Sequence, residues 1–373
     1  MEPGHSAPLS PGEKAENGNP DFKVVRIAGP FEFPWSIGFL PDGGMLVTER
    51  PGHLRYVEPD SGEITDIDEL PEVVTGEQAG LMDVAVDPDF ARNQTIYLSY
   101  AHGADDLSTV RVMRASLDLD ERKLTDRQVI FEAQPYAVEL INYGGRLTLD
   151  ADGFLFLTLG DRYEKERSQD LSDDWGSVIR IRKDGSIPDD NPFVGKSGAR
   201  PGIWSYGHRN PQGLAIDAQS KQMWVHEHGP MGGDELNLVQ RGHNYGWPVI
   251  TYGKDYDGTT ISDLTQAPGM EQPAYYWVPS IATSGLAVYR SGRVPQWRNT
   301  IWLGGLVGEV LVRLSLSGTE ITKEDRFLKE KLGRIRDVRV GPDGFIYLLT
   351  DDPAGELYRI EPLPLSASRA SSH

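Results

Sequence analysis

The sequence predicts an all-β fold, a six-bladed β-propeller of four-stranded antiparallel blades, because one short pattern recurs along its whole length. The pattern is a turn rich in Asp, Gly or Pro followed by a short apolar strand, with six copies in 373 residues, or about one per 60. The 41 Gly and 26 Pro are spread through the chain, and no long segment joins helical spacing of apolar residues to a capping signal. A period of this length fits blades joined by long loops.

The six copies share one physical logic. Asp and Gly accept the dihedral angles of tight turns, and the aromatic and aliphatic residues that follow suit a strand buried on both faces. In chain order the turns lie at residues 41–44, 88–90, 150–153, 216–217, 295–297 and 342–344, and the strands at 45–48, 96–100, 154–158, 223–226, 301–303 and 345–350. We expect each strand to be an inner strand of a blade. A β-sandwich, or a pair of sandwiches, is the alternative.

The ends of the chain differ from its middle. Residues 1–22 are polar and rich in Pro and Gly, which predicts a flexible leader; residues 23–364 form the single propeller, and the Ser-rich residues 365–373 form a loose tail. The leader has no basic region followed by an apolar stretch, so as written it is no signal peptide. A cytoplasmic location is therefore expected for the sequence as it stands, and a periplasmic or secreted one if the chain was trimmed.

Composition excludes several classes of function. The 37 basic and 56 acidic side chains give a net charge of −19, which repels phosphate backbones and anionic membranes, so no nucleic acid and no membrane partner is expected. No apolar run approaches the about 20 residues of a membrane span. The absence of Cys excludes disulfides, thiolate metal sites and a cysteine nucleophile. The sequence makes no prediction of oligomeric state.

The densest polar stretch covers residues 207–213, 227–237 and 244–248. Its Gly and Pro residues fix irregular backbone with outward carbonyls, and its Asp and Glu add anionic oxygen, a mixture that Ca²⁺ sites use. Arg209 and Asn210 offer hydrogen-bond donors that suit a planar carboxylate or a quinone. A purely structural network of loops explains the same composition.

Two further polar clusters lie at residues 142–147 with 160–162 and at residues 333–338. In the second, Arg334 and Arg336 point to one face if the segment is extended. Neighbouring guanidinium groups repel each other unless an anion lies between them, which favours an anionic ligand. Salt bridges to carboxylates of this acidic protein are the alternative.

Together these motifs resemble those of the soluble aldose sugar dehydrogenases that depend on pyrroloquinoline quinone (PQQ), the glucose/sorbosone dehydrogenase family. The resemblance runs from about Phe33 to about Arg359, and GHRNPQG, EHGP followed by DELN, and NYGWP occur in the family's order and spacing. It implies a six-bladed propeller that holds PQQ over a Ca²⁺ at the channel mouth. It also implies oxidation of a small substrate, a sugar, a polyol or another secondary alcohol.

The resemblance implies roles for individual residues. Arg209 and Asn210 match residues that contact the carboxylates and quinone oxygens of the cofactor, and Arg334 and Arg336 match a pair against its tricarboxylate. The remaining implied positions are Tyr275 and Ser280 as further cofactor contacts, Gln78 near the sugar, Gly229 and Pro230 as carbonyl ligands of the cofactor-associated Ca²⁺, and Glu235, Tyr245 and Asp257, with Tyr252 between them, at a second, structural Ca²⁺.

The chain departs from the family pattern at Asn142. The family begins this motif with a His that acts as the general base, and Asp161, which would hold that His, is retained. A carboxamide can orient a hydroxyl group but cannot accept its proton near neutral pH, and losing a general base typically costs about 10²–10⁴-fold in rate. The implied catalytic group is thus Asn142, Asp161 and Gln78.

Three explanations of Asn142 follow. PQQ chemistry persists with another base, for which His208, His228 and Glu139 are the nearest candidates by sequence. Alternatively, the cavity catalyses a non-redox reaction on a small polar metabolite, as a lyase, isomerase or hydrolase. In the third, the chain is a sugar-binding propeller without catalysis.

Overall fold

The structure is a computed structural model that describes residues 16–17, 20–104 and 106–363, which form six sheets. In chain order the strands are β1 (Glu16–Asn17), β2 (Phe22–Phe31), β3 (Pro34–Phe39), β4 (Met45–Glu49), β5 (His53–Val57), β6 (Ile64–Ile67), β7 (Leu81–Val86), β8 (Thr95–Ala104), β9 (Leu107–Asp118), β10 (Lys123–Glu132), β11 (Gly144–Leu149), β12 (Phe154–Leu159), β13 (Ser177–Arg182), β14 (Ile203–Tyr206), β15 (Pro211–Ile216), β16 (Met223–Glu227), β17 (Asp234–Val239), β18 (Tyr275–Trp277), β19 (Thr283–Tyr289), β20 (Thr300–Gly305), β21 (Val310–Ser317), β22 (Glu320–Phe327), β23 (Ile335–Val340), β24 (Ile346–Thr350) and β25 (Gly355–Pro362). The described helices are one α-helical turn, Phe90–Asn93, and two 3₁₀ turns, Lys165–Gln169 and Pro295–Trp297.

Each sheet contains a blade of four antiparallel strands, which confirms the predicted six-bladed propeller, and in one sheet β1 adds a short fifth strand in parallel to β22. Five blades use consecutive strands: β3–β6, β7–β10, β11–β14, β15–β18 and β19–β22. The sixth joins β23, β24 and β25 to β2, so the first long strand of the chain completes the last blade and closes the ring without a covalent link. The inner strands β3, β7, β11, β15, β19 and β23 each contact the next, and β23 contacts β3.

The recurring sequence pattern occupies the second strand of each blade. These strands are β4, β8, β12, β16, β20 and β24, and the turn before each lies between the first and second strands. Each is therefore an inner strand with a neighbour on both sides, as expected, although the channel itself is lined by the first strand of the blade. The second strand has hydrogen-bonded neighbours on both sides and blades packed on both faces, so all five residues of β24 are buried. The innermost strands instead carry Gly and polar residues that face the channel.

Large aromatic side chains fill the spaces between blades. Where the closing strand meets the fifth blade, Phe22 packs edge-on against Trp297, Trp302 and Phe327, with ring centroids 5.2–6.2 Å apart. All four rings are buried in one apolar cluster that also includes residues of β23 and β24. Burial of this apolar area stabilises the ring closure.

A buried ionic cluster links three of the inner strands. Arg146 of β11 lies 3.1 Å from a carboxylate oxygen of Asp337 of β23 and 3.7 Å from one of Asp83 of β7. Arg339 of β23 bonds the same two carboxylates, each at 2.9 Å. Burial alone would raise the pKa of Asp337, yet Arg146 and Arg339 lower it. Two cations and two anions thus balance within the cluster and join three blades.

The predicted domain limits can be set beside the first and last long strands of the propeller, and they stay a prediction. Phe22 begins β2 and Pro362 ends β25, near the expected limits at residues 23 and 364. Within the expected leader the structure describes residues 16–17, which pair in parallel with β22, and residues 20–22. The rest of the leader and the expected tail at 365–373 lie outside the described residues. In the described part of the chain no helix has the length and apolarity to cross a bilayer.

Candidate active site

Four of the functional side chains predicted from sequence lie in loops that meet at one end of the propeller, here called the mouth face. Gln78, Asn142, Arg209 and Arg334 each come within three residues before an inner strand, β7, β11, β15 or β23. Because the inner strands run side by side around the channel, the residues before them come together in space although they are far apart in sequence.

The mouth face holds a cavity of about 390 Å³ with several cations in its wall. Arg50, Arg334 and Arg336 line it, and Glu77 is the carboxylate among the described lining residues. Asp351 accepts hydrogen bonds from Arg334 and Arg336, each at 2.8 Å. Burial would raise the pKa of Asp351, but the two arginines lower it to about 2.

The salt-bridge interpretation of the arginine pair therefore holds, because the carboxylate of Asp351 lies between Arg334 and Arg336. The anionic ligand stays a prediction, and positive charge remains in excess in the cavity wall. Arg50 forms no ion pair with a described carboxylate. Its pKa is lowered mainly by burial, and the nearby charges of Arg336 and Arg334 lower it further. The buried Nε of Arg336 has no hydrogen-bond partner in the described part. In a chain of net charge −19, such a wall is suited to an anionic ligand.

Asn210 presents a buried hydrogen-bond donor that nothing in the described residues accepts. Its Oδ1 accepts from the backbone N–H of Gly144 at 3.2 Å and from Nε2 of Gln212 at 3.0 Å, and both of these residues line the cavity. This fixes the amide and leaves Nδ2 buried and unpaired. An unsatisfied buried donor costs about 1–3 kcal/mol, so the side chain is arranged for an acceptor atom of a ligand.

Asn142, Asp161 and Gln78 form one hydrogen-bonded group, so the structure brings the predicted catalytic residues together. The side-chain N–H of Asn142 donates to Asp161 at 2.8 Å, and its backbone N–H donates to Oε1 of Gln78 at 2.9 Å. The other oxygen of Asp161 accepts from the indole N–H of Trp247 at 2.8 Å. Burial raises the pKa of Asp161, although Arg209 and these hydrogen bonds oppose the rise.

The three candidate bases differ in access. Both ring nitrogens of the buried His208 are engaged, by Ser205 at 3.0 Å and Glu227 at 2.8 Å. Glu139 is exposed and does not line the cavity. His228 does line it, and its Nε2–H donates to the Thr283 carbonyl at 2.8 Å, which leaves Nδ1 as an acceptor. Burial lowers the pKa of His228 to about 3, so its ring is neutral at neutral pH.

The Gly229–Pro230 loop is held tightly against the site. The guanidinium of Arg209 donates to the carbonyls of His228 and Gly229, both at 3.1 Å, and so holds both carbonyls in place. A Cβ at Gly229 would lie 2.2 Å from the Gly232 carbonyl oxygen, so only glycine fits there. A fixed outward carbonyl is a suitable cation ligand.

A second candidate metal centre lies behind this loop. Glu227, Glu235, Gly229, Gly233, Tyr245 and Thr251 are among the residues around a space of about 10 Å³, the size of one water molecule or ion. Burial raises the pKa of Glu235 well above its usual value, and the neighbouring Glu227 raises it further. Oδ1 of Asn237, whose amide donates to both carboxylates, is buried and unpaired in the described residues. A cation in this space would pair with the carboxylates of Glu227 and Glu235 and with the unpaired Oδ1 of Asn237.

Several predicted ligands lie elsewhere or point elsewhere. The hydroxyl of Tyr245 donates to the Leu238 carbonyl at 2.8 Å, and Tyr252 donates to Gln272 at 2.8 Å. Asp257 is exposed in a turn, where its carboxylate accepts from Thr259. No described residue set contains three or more His, Cys, Asp or Glu placed to hold a metal.

The two further predicted cofactor contacts, Tyr275 and Ser280, bond other protein groups. The Tyr275 hydroxyl donates to Glu324 at 2.6 Å, between two blades, and Tyr275 does not line the cavity. Ser280 donates to Asp234, which also accepts from the backbone N–H of Gly229 at 2.9 Å. Ser280 thus supports the Gly229 loop from behind.

The sequence analysis did not single out Arg50 and Asp351, and it gave no individual role to Glu227 and Trp247 within the polar stretch. Arg50 and Asp351 directly follow β4 and β24, two of the second strands that the recurring pattern predicted. Second strands end at the mouth face, as Asp161 and His228 also show by following β12 and β16. The first polar residues after each recurring strand were therefore a usable signal for the site.

Comparison with known proteins agrees with this geometry. Residues 31–359 match the family described as glucose / sorbosone dehydrogenase. Among curated proteins, the aldose sugar dehydrogenase YliI of Escherichia coli (strain K12) is 42% identical over 343 residues, which cover 91% of this chain and 92% of that protein.

Solved structures of similar proteins cover the same region. The apo form of the soluble aldose sugar dehydrogenase from E. coli matches with a TM-score of 0.88 and 41% identity, over 92% of this chain and 100% of the other. The PQQ-bound form of aldose sugar dehydrogenase from Streptomyces coelicolor matches with a TM-score of 0.76 and 28% identity, over 91% and 98% of the two chains.

Proposed function

This chain belongs to the glucose/sorbosone dehydrogenase family, and from that premise we propose that it is a PQQ- and Ca²⁺-dependent dehydrogenase that oxidises a sugar or other secondary alcohol. The observation that carries the proposal is the wall of the mouth cavity, where Arg50, Arg334 and Arg336 face a space next to Asn210 and the Asn142–Asp161 pair. The PQQ-bound relative supports the choice of cofactor.

The residues present fit PQQ, a planar quinone with three carboxylates. Arg334, Arg336 and Arg50 would hold the carboxylates, with Arg209 at the adjoining side, since guanidinium groups bind carboxylates in two-point contacts. The unpaired Nδ2 of Asn210 would donate to a quinone oxygen. When bound, PQQ supplies a two-electron oxidant for a carbon–hydrogen bond.

Ca²⁺ fits two places in this proposal. Near the cofactor, the Gly229 carbonyl would be a ligand, with Pro230 beside it, if Arg209 released that carbonyl to a cofactor carboxylate. In the second centre, Glu235 and Glu227 would share the ion, and its charge would relieve the repulsion between the two buried carboxylates.

Asn142 would orient the substrate without taking its proton. Its N–H is committed to Asp161, so its Oδ1 is the free polar atom of the amide and can accept a hydrogen bond from a substrate hydroxyl. If Asn142 stands where relatives carry a histidine base, the rate of substrate oxidation depends on a proton acceptor weaker than that histidine. His228 Nδ1 is the basic ring nitrogen among the described lining residues, and an anion bound beside Arg209 and Arg336 would raise its low pKa.

The direct test is dye-linked oxidation of aldoses by the purified chain. Turnover that requires both PQQ and Ca²⁺, and is abolished by a chelator and restored by Ca²⁺, is the expected result. Absence of turnover while PQQ is bound, in the native chain and in Asn142→His, would contradict the proposal.

A non-redox enzyme in the same cavity is the second candidate, and the engagement of Asn142 with Asp161 favours it, since no strong base is then fixed at the mouth. A lyase, isomerase or hydrolase would turn over a small polar metabolite without PQQ. A sugar-binding propeller without catalysis would bind sugar and leave it unchanged. Product analysis after incubation of cofactor-free protein with candidate sugars separates these two from each other.

A further inference from the structure

Exposed apolar side chains surround the cavities of the mouth face. We call Tyr163, Met231, Tyr256, Val278 and Val307 the mouth rim; their exposed fractions are 47–70%, and they are five of the twelve large apolar side chains exposed in the described residues. Tyr256 and Val307 line the 390 Å³ cavity. Tyr163 lines a second cavity of about 180 Å³, whose wall includes Arg209.

Met231 and Val278 continue the rim outside the cavities. Met231 follows Pro230, which lines the smaller cavity, and its backbone pairs with Lys254. The Val278 methyl groups lie 3.3 and 3.4 Å from the position that a Cβ of Gly232 would take, so they are next to Met231 in space. Apolar side chains gathered around a functional opening are typical of a protein interaction site.

We propose that the mouth rim is the docking surface for a small, basic electron-carrier protein that reoxidises the enzyme, an inference that rests on the proposed function. The cavity opens at the mouth face and the rim side chains are exposed there, so a carrier that reaches the cavity from this face contacts the rim. Electron-transfer encounters use small interfaces, and a rim of a few apolar residues provides one.

The net charge of the chain indicates the kind of protein that binds the mouth rim. The chain carries −19, so a second copy of it or an anionic bilayer is repelled, whereas a cationic protein is attracted and steered toward the surface. In the loaded enzyme the carboxylates of PQQ would offset the arginines of the cavity wall, so these do not repel a cationic protein at the mouth. The apolar rim then supplies the short-range contact, because its side chains need no charged partner. A basic carrier is therefore the occupant that both properties fit.

The redox balance requires a one-electron acceptor used twice. Oxidation of an aldose to its lactone releases two electrons and two protons. Two ferric haem proteins each accept one electron, so aldose and two Fe³⁺ give lactone, two Fe²⁺ and two protons, which pass to solvent.

The test uses a basic ferric c-type cytochrome as the probe and measures its binding by calorimetry, with the full chain loaded with PQQ and Ca²⁺ and again without them. The rim variant combines Met231→Lys and Val278→Lys. The matched control combines Val129→Lys and Val194→Lys, which change two similarly exposed side chains away from the rim and add the same charge.

We expect the rim variant to weaken cytochrome binding about tenfold or more and the control to weaken it less than about twofold at low salt. Cytochrome reduction should follow binding, while dye-linked oxidation stays unchanged.

An equal loss of cytochrome binding in the rim variant and in the matched control would overturn the proposal. So would the absence of cytochrome binding to the native chain at about 20 mM salt. Rim-dependent self-association in sedimentation, or rim-dependent binding to anionic vesicles, would overturn it as well. Failure of dye-linked oxidation in the native chain would instead count against the proposed function, and the binding measurement on the unloaded chain still decides whether the rim docks a basic carrier.

Discussion

The side-chain N–H of Asn142 donates to the carboxylate of Asp161 at 2.8 Å, inside a group that also includes Gln78 and Trp247. The backbone of Asn142 is in the left-handed region, with φ of 52°, which Asn and His accept more readily than most residues. A histidine at this position could therefore keep the backbone and donate its own ring N–H to Asp161.

This relationship predicts that Asn142→His increases dye-linked sugar oxidation by about 10²–10⁴-fold, because it supplies a general base held by Asp161. Steady-state rates of the PQQ- and Ca²⁺-loaded chain measure the effect. Adding Asp161→Asn to Asn142→His is the control, and it should remove most of the gain. An Asn142→His variant that binds PQQ but gains no rate would show that the cavity does not place a sugar at this residue.

Glu235 should decide Ca²⁺ binding at the second centre. Burial and the adjacent Glu227 raise its pKa, so a cation stabilises the folded state and Ca²⁺ should raise the melting temperature of the native chain. We expect Glu235→Gln to abolish that rise and to stabilise the Ca²⁺-free protein. Asp257→Asn is the informative comparison, since Asp257 is exposed in a turn and should not affect the rise. An unchanged Ca²⁺ response in Glu235→Gln would remove this centre from the account.

The buried ionic cluster should contribute strongly to stability. Replacing Arg146 by Ala leaves Asp83 and Asp337 buried with only Arg339 between them, and breaking a buried pair in this way costs about 3–5 kcal/mol. Denaturant unfolding would measure the loss. Arg298→Ala, at an exposed position, should stay within about 0.5 kcal/mol of the native chain. A loss below about 1 kcal/mol for Arg146→Ala would mean that the cluster does not hold the blades together.

Asp173 should make stability depend on pH. Burial raises its pKa to about 6 from the 3.8 of an unperturbed side chain, although Trp175 and Arg167 donate to its carboxylate. A carboxyl with a higher pKa in the folded state costs stability as pH rises from 3.8 to about 6, and the cost remains above that. Asp173→Asn should thus raise the melting temperature at pH 7 but not at pH 3.5. A shift of equal size at both pH values would contradict this pKa.

The fold was predictable from sequence because its repeating unit is local. A turn of Asp, Gly or Pro before a doubly buried strand leaves a clear pattern, as residues 342–350 show. The position of that strand within the blade was not predictable in the same way, since it depends on which strand faces the channel. Polar inner-strand residues such as Asp83 and Arg146 have no partner within their own segment, and their pairing appears only when the ring closes.

The site was predictable where its residues precede an inner strand, as Arg209 and Arg334 do. The path of the long connection between Val239 and Tyr275 was not predictable, because neither strand pattern nor spacing fixes it. There the structure puts Asp257 in an exposed turn, Tyr275 against Glu324, and Trp247 against Asp161.

The measurement that tests the central claim most directly is a titration of metal-stripped protein with PQQ, with and without Ca²⁺, followed by absorbance and calorimetry. The account predicts tight, Ca²⁺-dependent, one-to-one binding that Arg334→Ala combined with Arg336→Ala abolishes and the exposed pair Arg92→Ala with Arg298→Ala leaves intact. No binding at micromolar PQQ, or binding that survives loss of Arg334 and Arg336, would contradict the proposal that this cavity holds the cofactor.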